Sequence, residues 1–126
     1  MNKRAVGTRY EQLAAQYLTE RGLTILESNY RIRSGEIDLI ALDRSAPDVP
    51  GSGTVYVFVE VKYRKTASSG QPFEAVTYQK RKTICRVADH YRLSRGGLHG
   101  CMFRFDVISI LGEEITWYQN AFPYTV

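Results

Sequence analysis

Apolar and polar positions follow two different periods along this chain, and the changes of period divide it into seven elements. A helical spacing of apolar and aromatic residues runs from Tyr10 to Leu18 and returns between residues 73 and 93. Strand-like runs lie between and after them, at residues 23–33, 36–42, 54–63, 102–110 and 114–118. This order predicts an α/β fold, with a central mixed five-stranded sheet flanked by helices in two or three layers, as one domain over residues 1–126.

Local signals refine the ends of these elements. Thr8 and Glu11 match the capping box, in which a Glu three residues after a Thr closes the first turn, so we expect the first helix to begin there. Gly22 ends that helix, and Ser34-Gly35 predicts a tight turn that joins the first two strands as a hairpin. Ser28-Asn29 allows a break in the first strand. The run at 54–63 is apolar on both faces at first, which is typical of a central buried strand.

Composition places the chain among ordinary globular proteins. Of its 126 residues, 44% are hydrophobic and 24% are charged, which argues against disorder and low-complexity sequence. No apolar run approaches the roughly 18 residues that span a bilayer, so we expect no membrane partner. The positively charged start is followed by no apolar segment, which favours a cytoplasmic location without a signal peptide. Cys85 and Cys101 lack the spacing of zinc ligands and are expected to be buried or half-buried thiols.

Charge is distributed unevenly along the chain. The net charge is −1 over residues 1–61, +8 over residues 62–104 and −3 over residues 105–126. The central block suits a polyanion such as nucleic acid, although a solvated basic face explains it equally well. Lys80 shares a helical row with Val76 and Ile84 and so could reach a site on the sheet, whereas its basic neighbours along the helix are expected to point outward. The candidate phosphate contacts are Arg64, Lys65, Lys80, Arg81, Lys82 and Arg86.

Two charged clusters interrupt apolar strands, Glu36-x-Asp38 in the second and Glu60-x-Lys62 in the third. A charge in such a place is costly unless it is paired or binds a metal. If neighbouring strands bring Asp38 and Glu60 together, their oxygens suit a hard cation such as magnesium, and Lys62 could orient water or stabilise charge. Taken singly, these residues are explained as cross-strand ion pairs or solvated strand ends. Their combination favours the metal site.

The same clusters resemble the PD-(D/E)xK nuclease superfamily and, more closely, the YraN-like uncharacterised bacterial family. The matching segments are Gly7-x-x-x-Glu11-x-x-Ala14, Gly35-Glu36-Ile37-Asp38-Leu39-Ile40, Phe58-Val59-Glu60-Val61-Lys62-Tyr63-Arg64 and Arg104-Phe105-Asp106-Val107. The family is also similar to archaeal Holliday-junction resolvases. The resemblance implies a restriction-endonuclease-like core and DNA cleavage that depends on Mg²⁺ or Mn²⁺. It assigns Asp38 and Glu60 as metal ligands and Lys62 as the catalytic lysine.

Glu11 corresponds to a helix glutamate that completes the metal environment in the resemblance, and the capping box explains it equally well. Glu36 is better explained as a turn cap than as a water-mediated metal contact. Asp106 is expected to be structural, paired with a neighbouring arginine in the sheet. Ile37 stands where the superfamily often has proline, and this leaves the carboxylate of Asp38 in place.

The leading hypothesis is therefore a nucleic-acid-binding protein with a metal-dependent endonuclease site. DNA is favoured over RNA as its partner, and a homodimer would suit a branched substrate. One alternative is a nucleic-acid- or partner-binding module on the same fold with weak or no cleavage. Another is a structural adaptor whose acidic cluster is an ion-pair network.

Overall fold

The predicted order of elements is confirmed. The computed structural model describes residues 3–44, 54–65, 76–95 and 101–126. Its elements are α1 (Lys3–Glu20), β1 (Leu23–Ile32), β2 (Gly35–Asp43), β3 (Val55–Arg64), α2 (Tyr78–Ser94), β4 (Met102–Leu111) and β5 (Glu114–Phe122). The loop expected at 44–54 and the connection expected at 64–72 lie mostly outside the described residues, as does the helical start expected at Phe73.

The five strands form one mixed sheet, as the sequence predicts. They are ordered β1-β2-β3-β4-β5, so each strand pairs with its neighbour in the sequence. Only β3 and β4 run parallel, and the other three pairs are antiparallel. Two parallel strands need a crossover between them, and α2 lies within that connection. The strand with apolar residues on both faces, β3, is the central one.

Helices cover the two faces of the sheet, which gives three layers. On β3, Val57 and Val59 are buried in the same cluster as Ala14 and Leu18 of α1. The intervening Phe58 belongs to a second cluster with α2 residues, because successive strand side chains point to opposite faces. The α2 members of that cluster are Ile84, Cys85, Val87, Ala88 and Tyr91. Cys85 is buried and Cys101 half-buried, both as free thiols, as expected.

The first helix begins earlier than the capping box predicted. It starts at Lys3, so Thr8 lies inside α1 rather than at its end. Lys3, Arg4 and Ala5 are strong helix formers, and a single glycine at position 7 costs only about 1 kcal/mol in a helix interior. The capping explanation of Glu11 therefore fails. The side chain of Glu11 therefore has a role other than capping the helix.

Two strands also differ in detail from the prediction. Strand β5 extends to Phe122 rather than ending at Tyr118, because Asn120 adopts a left-handed conformation (φ 52°) and lets the strand continue past a bulge. Strand β1 is continuous, but Asn29 within it is also left-handed, with a φ of 54°. The break allowed at Ser28-Asn29 is thus a local irregularity. Asparagine is one of the few residues other than glycine that tolerate this conformation.

Helix α2 packs close to the start of β2. A Cβ atom placed on Gly35 would overlap the side-chain methyl of Thr83. Only glycine therefore permits this approach of helix to strand. The approach holds the first half of α2, including Lys80, near the part of β2 and β3 that carries the acidic residues.

Candidate functional site

The candidate site lies where β2 and β3 stop pairing. The last pair between them is Leu39 with Val59, and Asp38 and Glu60 are the next residues of each strand in the direction in which the pairing ends. Beyond this point the Val61 N–H has no β2 backbone partner, and Asp38 Oδ2 accepts its hydrogen bond at 2.8 Å. The side chain of Asp38 thus accepts a β3 backbone hydrogen bond at the point where the β2–β3 pairing ends.

The alternation of side chains also breaks at Asp38. Ile37 is buried in the cluster under α2, whereas Leu39 is buried in the cluster under α1. In a regular strand these two residues would share a face, because they are two positions apart. The irregularity places Asp38 at the crossing between the two faces. The charges of α1 and of α2 can therefore act on the same carboxylate.

Asp38 and Glu60 lie close enough for each carboxyl group to act on the pKa of the other. The pKa of Glu60 is raised to about 7, mainly by burial and next by the negative charge of Asp38, while the charges of Lys80 and Lys62 act in the opposite direction. Burial also raises the pKa of Asp38, and the Val61 N–H bond opposes this rise. Two neighbouring carboxylates repel each other, so a proton or a cation between them is stabilising. The two sequence-predicted metal ligands are therefore neighbours in the fold.

Two lysines approach Glu60 from different elements. Lys80 Nζ of α2 lies 3.8 Å from Glu60 Oε1, so Lys80 reaches the acidic pair as its helical row suggested. Its side chain remains 43% exposed, whereas that of Glu60 is only 13% exposed. Lys62 is half-buried and lies two residues after Glu60 on the same face of β3, where its charge lowers the pKa of Glu60. The charges of two lysines thus act on Glu60.

Glu11 of α1 also interacts with the site through its charge. Burial raises its pKa to about 7, and the negative charges of Asp38 and Glu36 contribute to the rise. The side-chain amide of Asn29, oriented with its nitrogen toward Glu11, donates to both carboxylate oxygens. Sequence reasoning missed this role of Asn29. The only signal for it was an asparagine within an otherwise regular strand pattern.

The acidic residues fit a magnesium ion in one specific way. Across the described ranges, no three His, Cys, Asp or Glu side chains converge in an arrangement that could hold a metal. Asp38 and Glu11 interact through their charges, and the place of Glu11 in the metal environment stays a prediction. Magnesium commonly uses only one or two protein carboxylates and completes its shell with water and substrate phosphate. Asp38 and Glu60 meet that requirement as a pair.

The basic candidates occupy the end of β3 and the first half of α2. Arg64 is half-buried at the end of β3, and Lys65 after it is exposed. Arg86 is exposed on α2, and Lys82 is partly exposed. Arg81 was expected to point outward, but its Nε is buried and has no hydrogen-bond partner among the described residues. It packs instead toward the ring of Tyr78, with its Cζ 5.9 Å from the ring centroid.

Two acidic residues have structural roles. Glu36 forms an exposed ion pair with Arg31, opposite it in the β1–β2 hairpin, at 3.0 Å. Asp106 is completely buried and pairs with Arg104 at 3.0 Å, as expected.

The hydrogen-bond network around Asp106 includes more residues than the sequence predicted. Arg104 also binds Asp43 at 2.9 Å, and Asp106 accepts bonds from Trp117 Nε1 and Asn120 N, each at 2.9 Å. Asp43 was not singled out in the sequence, because its partner lies 61 positions away.

Known proteins resemble this chain over almost its full length. The model of the uncharacterised protein family UPF0102 matches residues 10–110. A UPF0102 protein of Alkaliphilus metalliredigens is 43% identical over 122 residues, covering 94% of this chain and 98% of the relative. Another, from Vibrio cholerae, is 40% identical over 124 residues, covering 96% of this chain and 94% of the relative.

The mixed five-stranded sheet between two helices is consistent with a restriction-endonuclease-like α/β core. Within that class, the chain belongs to the UPF0102 family, which confirms the resemblance to the YraN-like proteins. Neither helix of the described part is long and apolar enough to cross a bilayer.

Proposed function

We propose that this protein binds nucleic acid and cleaves a phosphodiester bond at the Asp38–Glu60 pair with the help of magnesium. The observation that carries the proposal is the close approach of these two half-buried carboxyl groups where the β2–β3 pairing ends. The pair lies against the apolar residues of the sheet, so water screens the negative charge of Asp38 and Glu60 only weakly. Carboxyl groups whose pKa values are perturbed in this way tend to cluster at functional sites.

Asp38 and Glu60 would hold the cation, and the rest of the site would prepare the chemistry. Bound there, magnesium would supply Lewis acidity to the phosphate and to an attacking water. Before that, the pair must lose the proton it shares, which its raised pKa retains up to near neutral pH. The Val61 N–H keeps Asp38 oriented during this exchange.

The lysines have separate parts in the proposal. Lys62, beside Glu60 on β3, orients the water or stabilises the negative charge that develops as the phosphodiester is attacked. Lys80 pairs with Glu60 in the absence of metal, and its exposed side chain can turn to a phosphate when Glu60 takes the cation. The basic residues Arg64, Lys65, Lys82 and Arg86 then contact the backbone of the nucleic acid.

A cleavage assay over branched, nicked, flapped and linear DNAs and an RNA duplex tests the proposal. Cleavage is expected with Mg²⁺ or Mn²⁺, no cleavage is expected in EDTA, and Asp38→Asn and Glu60→Gln should each remove it. A matched control is Glu36→Gln, which changes a nearby carboxylate that is paired with Arg31 at the surface. Cleavage that survives in Asp38→Asn, or persists in EDTA, would refute the assignment.

One observation favours a second candidate, a nucleic-acid-binding module without cleavage. Lys80 Nζ lies 3.8 Å from Glu60 Oε1 and already neutralises part of the charge of Glu60. On this alternative the carboxyl pair only positions Lys80 for a phosphate. Salt-sensitive binding of nucleic acid without divalent-ion binding would select it. The preference for DNA over RNA, the homodimer and the cytoplasmic location stay predictions.

A further inference from the structure

The last residues of the described chain run along one side of α2. We call residues 123–126 the tail. Three hydrogen bonds fix it to the helix: Tyr124 Oη donates to Asp89 Oδ2 at 2.6 Å, Thr125 N donates to Cys85 Sγ at 3.3 Å, and Tyr78 Oη donates to Val126 O at 2.7 Å. The tail thus follows one side of the helix over about three turns. None of these contacts belongs to the acidic site.

A cleft of about 330 Å³ lies between the tail and α2. Its walls include Lys82 and Arg86, which are four residues apart and so lie on one side of the helix. The wall carboxylate of Asp89 already accepts the Tyr124 hydroxyl and a bond from Arg92. The cleft therefore presents two cations to a ligand, with its one acidic side chain engaged. This charge distribution suits an anion such as a phosphate.

Tyr78 stands beside this cleft with its ring open to solvent. The residue is 55% exposed, which is high for an aromatic side chain. Lys82 Nζ lies 5.4 Å from its ring centroid and Arg81 Cζ lies 5.9 Å from it. The hydroxyl bond to Val126 fixes the orientation of the ring, so little entropy remains to be lost when a ligand stacks on it. An aromatic face with adjacent cations is the usual device for holding an unpaired base and its backbone.

We infer that this cleft binds one unpaired nucleotide, with its base on the Tyr78 ring and its phosphate between Lys82 and Arg86. The inference rests on the proposed function and names the substrate class, a nucleic acid with a single-stranded end or flap. A base in a duplex is stacked on both faces, so it offers no free face to Tyr78. A cleft of this volume lies at the lower end of the range for small-ligand sites and accepts one nucleotide unit, not a duplex.

The cleft is suitably placed to present a strand to the acidic pair. Tyr78 and Lys80 lie in the first turn of α2, and Lys80 contacts Glu60. Their side chains leave the helix in different directions, because two residues correspond to about 200° of rotation. A strand that crosses this end of α2 would therefore meet the stacking ring on one side and the carboxyl pair on the other.

Binding measured in EDTA tests the inference without cleavage. The probes are a fluorescent blunt DNA duplex and the same duplex with a short single-stranded overhang, titrated with the full chain. The duplex with the overhang is expected to bind about tenfold more tightly than the blunt duplex, which corresponds to the stacking of one base. Tyr78→Leu should abolish this preference, whereas Tyr78→Phe, which removes only the hydroxyl bond to the tail, should retain it. Replacing Lys82 and Arg86 by Ala together should also reduce it.

Two results would overturn the inference. One is equal affinity of the parent protein for the two probes. The other is an equal loss in Tyr78→Phe and Tyr78→Leu, which would make Tyr78 only an anchor for the tail. Leu93→Ala, a change at an exposed position near the other end of α2, is the matched control and should leave the preference unchanged.

The outcomes also separate this inference from the proposed function. If the parent protein cleaves DNA with magnesium but does not prefer the overhang, the proposed function stands and nucleotide binding in the cleft is refuted. If the parent protein prefers the overhang but never cleaves, nucleotide binding in the cleft stands and the catalytic proposal is refuted. Asp38→Asn is expected to keep the overhang preference, because its carboxylate is not part of the cleft.

Discussion

Asp38 gives the backbone of Val61 the hydrogen-bond partner that strand β2 no longer provides. Its Oδ2 lies 2.8 Å from Val61 N, just past the last β2–β3 pair. The residue with the strongest claim to bind a metal is therefore also part of the sheet's own bonding. Substitutions at Asp38 must separate these two roles to be informative.

Asp38→Asn separates them. The amide retains an oxygen that can accept the Val61 N–H and loses only the charge, so we expect a folded protein with weaker magnesium binding and no cleavage. DNA binding should persist or tighten, because one negative charge near the phosphates is removed. Calorimetric titration with magnesium, with and without DNA, measures the effect. The comparison variant is Asp38→Ala, which should cost a further 1–3 kcal/mol or so of stability, because it leaves Val61 N–H without a partner.

The stability of the metal-free protein should fall as the pH rises from about 4.5 to about 7. Burial raises the pKa of Glu60 and of Glu11 to about 7, above the ordinary value of 4.5. Between these values the folded protein holds more protons than the unfolded chain, so its unfolding free energy decreases with pH and then levels off. Melting temperatures across this range test the sign. A melting temperature that rises over this interval in the parent but not in Glu60→Gln would contradict the assignment.

Magnesium should reverse that trend. In the proposed site the cation would replace the proton held by Asp38 and Glu60, so it should bind more tightly once the pair is ionised. We expect little shift of the melting temperature by magnesium near pH 5 and a clear stabilisation near pH 8. Calcium at the same concentration is a useful comparison, since it tests whether any divalent cation suffices. An equal shift at both pH values would place the ion elsewhere.

Lys62→Ala and Lys80→Ala form a matched pair around Glu60. If Lys62 acts in the chemical step, its loss should abolish cleavage and leave DNA affinity and melting temperature close to those of the parent. Lys80→Ala should weaken DNA binding instead, with a change in stability below about 1 kcal/mol, because its pair with Glu60 is partly exposed. A loss of about 3–5 kcal/mol in Lys62→Ala with cleavage intact would instead identify Lys62 as one partner of a structural ion pair.

Binding of nucleic acid should weaken steeply with salt, because the +8 net charge of residues 62–104 supplies most of the attraction. Replacement of Arg81, Lys82 and Arg86 by Ala should flatten the dependence of affinity on salt concentration. Lys82 and Arg86 are expected to contribute about one phosphate contact each to the slope. Arg81, whose Nε is buried, should contribute less. An unchanged slope in the triple variant would exclude this side of α2.

Asp106→Ala should be among the most destabilising changes in the chain. The residue is completely buried and bonded to Arg104, Trp117 and Asn120, so its removal leaves the arginine charge without its main partner. The expected loss is about 3–5 kcal/mol in urea unfolding. Glu36→Ala, which breaks the exposed pair with Arg31, should cost below about 1 kcal/mol and serves as the comparison.

The sequence predicted those features that depend on spacing along a strand. The apolar run of β3 and its Glu60-x-Lys62 ending placed that strand at the centre and its charges at one end. The neighbouring Asp38 could be matched to Glu60 because consecutive strands tend to pair. Helical periodicity likewise brought Lys80 toward the sheet. In each case a local pattern was sufficient to set the direction of a side chain.

Features that depend on the tertiary environment could not be predicted in this way. The helix start at Lys3 overrode the Thr8–Glu11 capping pattern, and only the folded structure shows Glu11 beside Asn29. Asp43 binds an arginine that lies far along the sequence. The aromatic exposure of Tyr78 depends on where the tail crosses α2. No period or motif in the sequence encodes such contacts.

The parallel pairing of β3 with β4 has a consequence for how the chain folds. Its register joins Val55 to Met102, across the whole connection that contains α2, whereas the β1–β2 hairpin closes between Ile32 and Gly35. Closing such a long connection is slow relative to forming a hairpin. We therefore expect the arrival of β4 to limit the folding rate. Until then one edge of the apolar strand β3 stays open to strands of other chains, so refolding yield should fall as protein concentration rises.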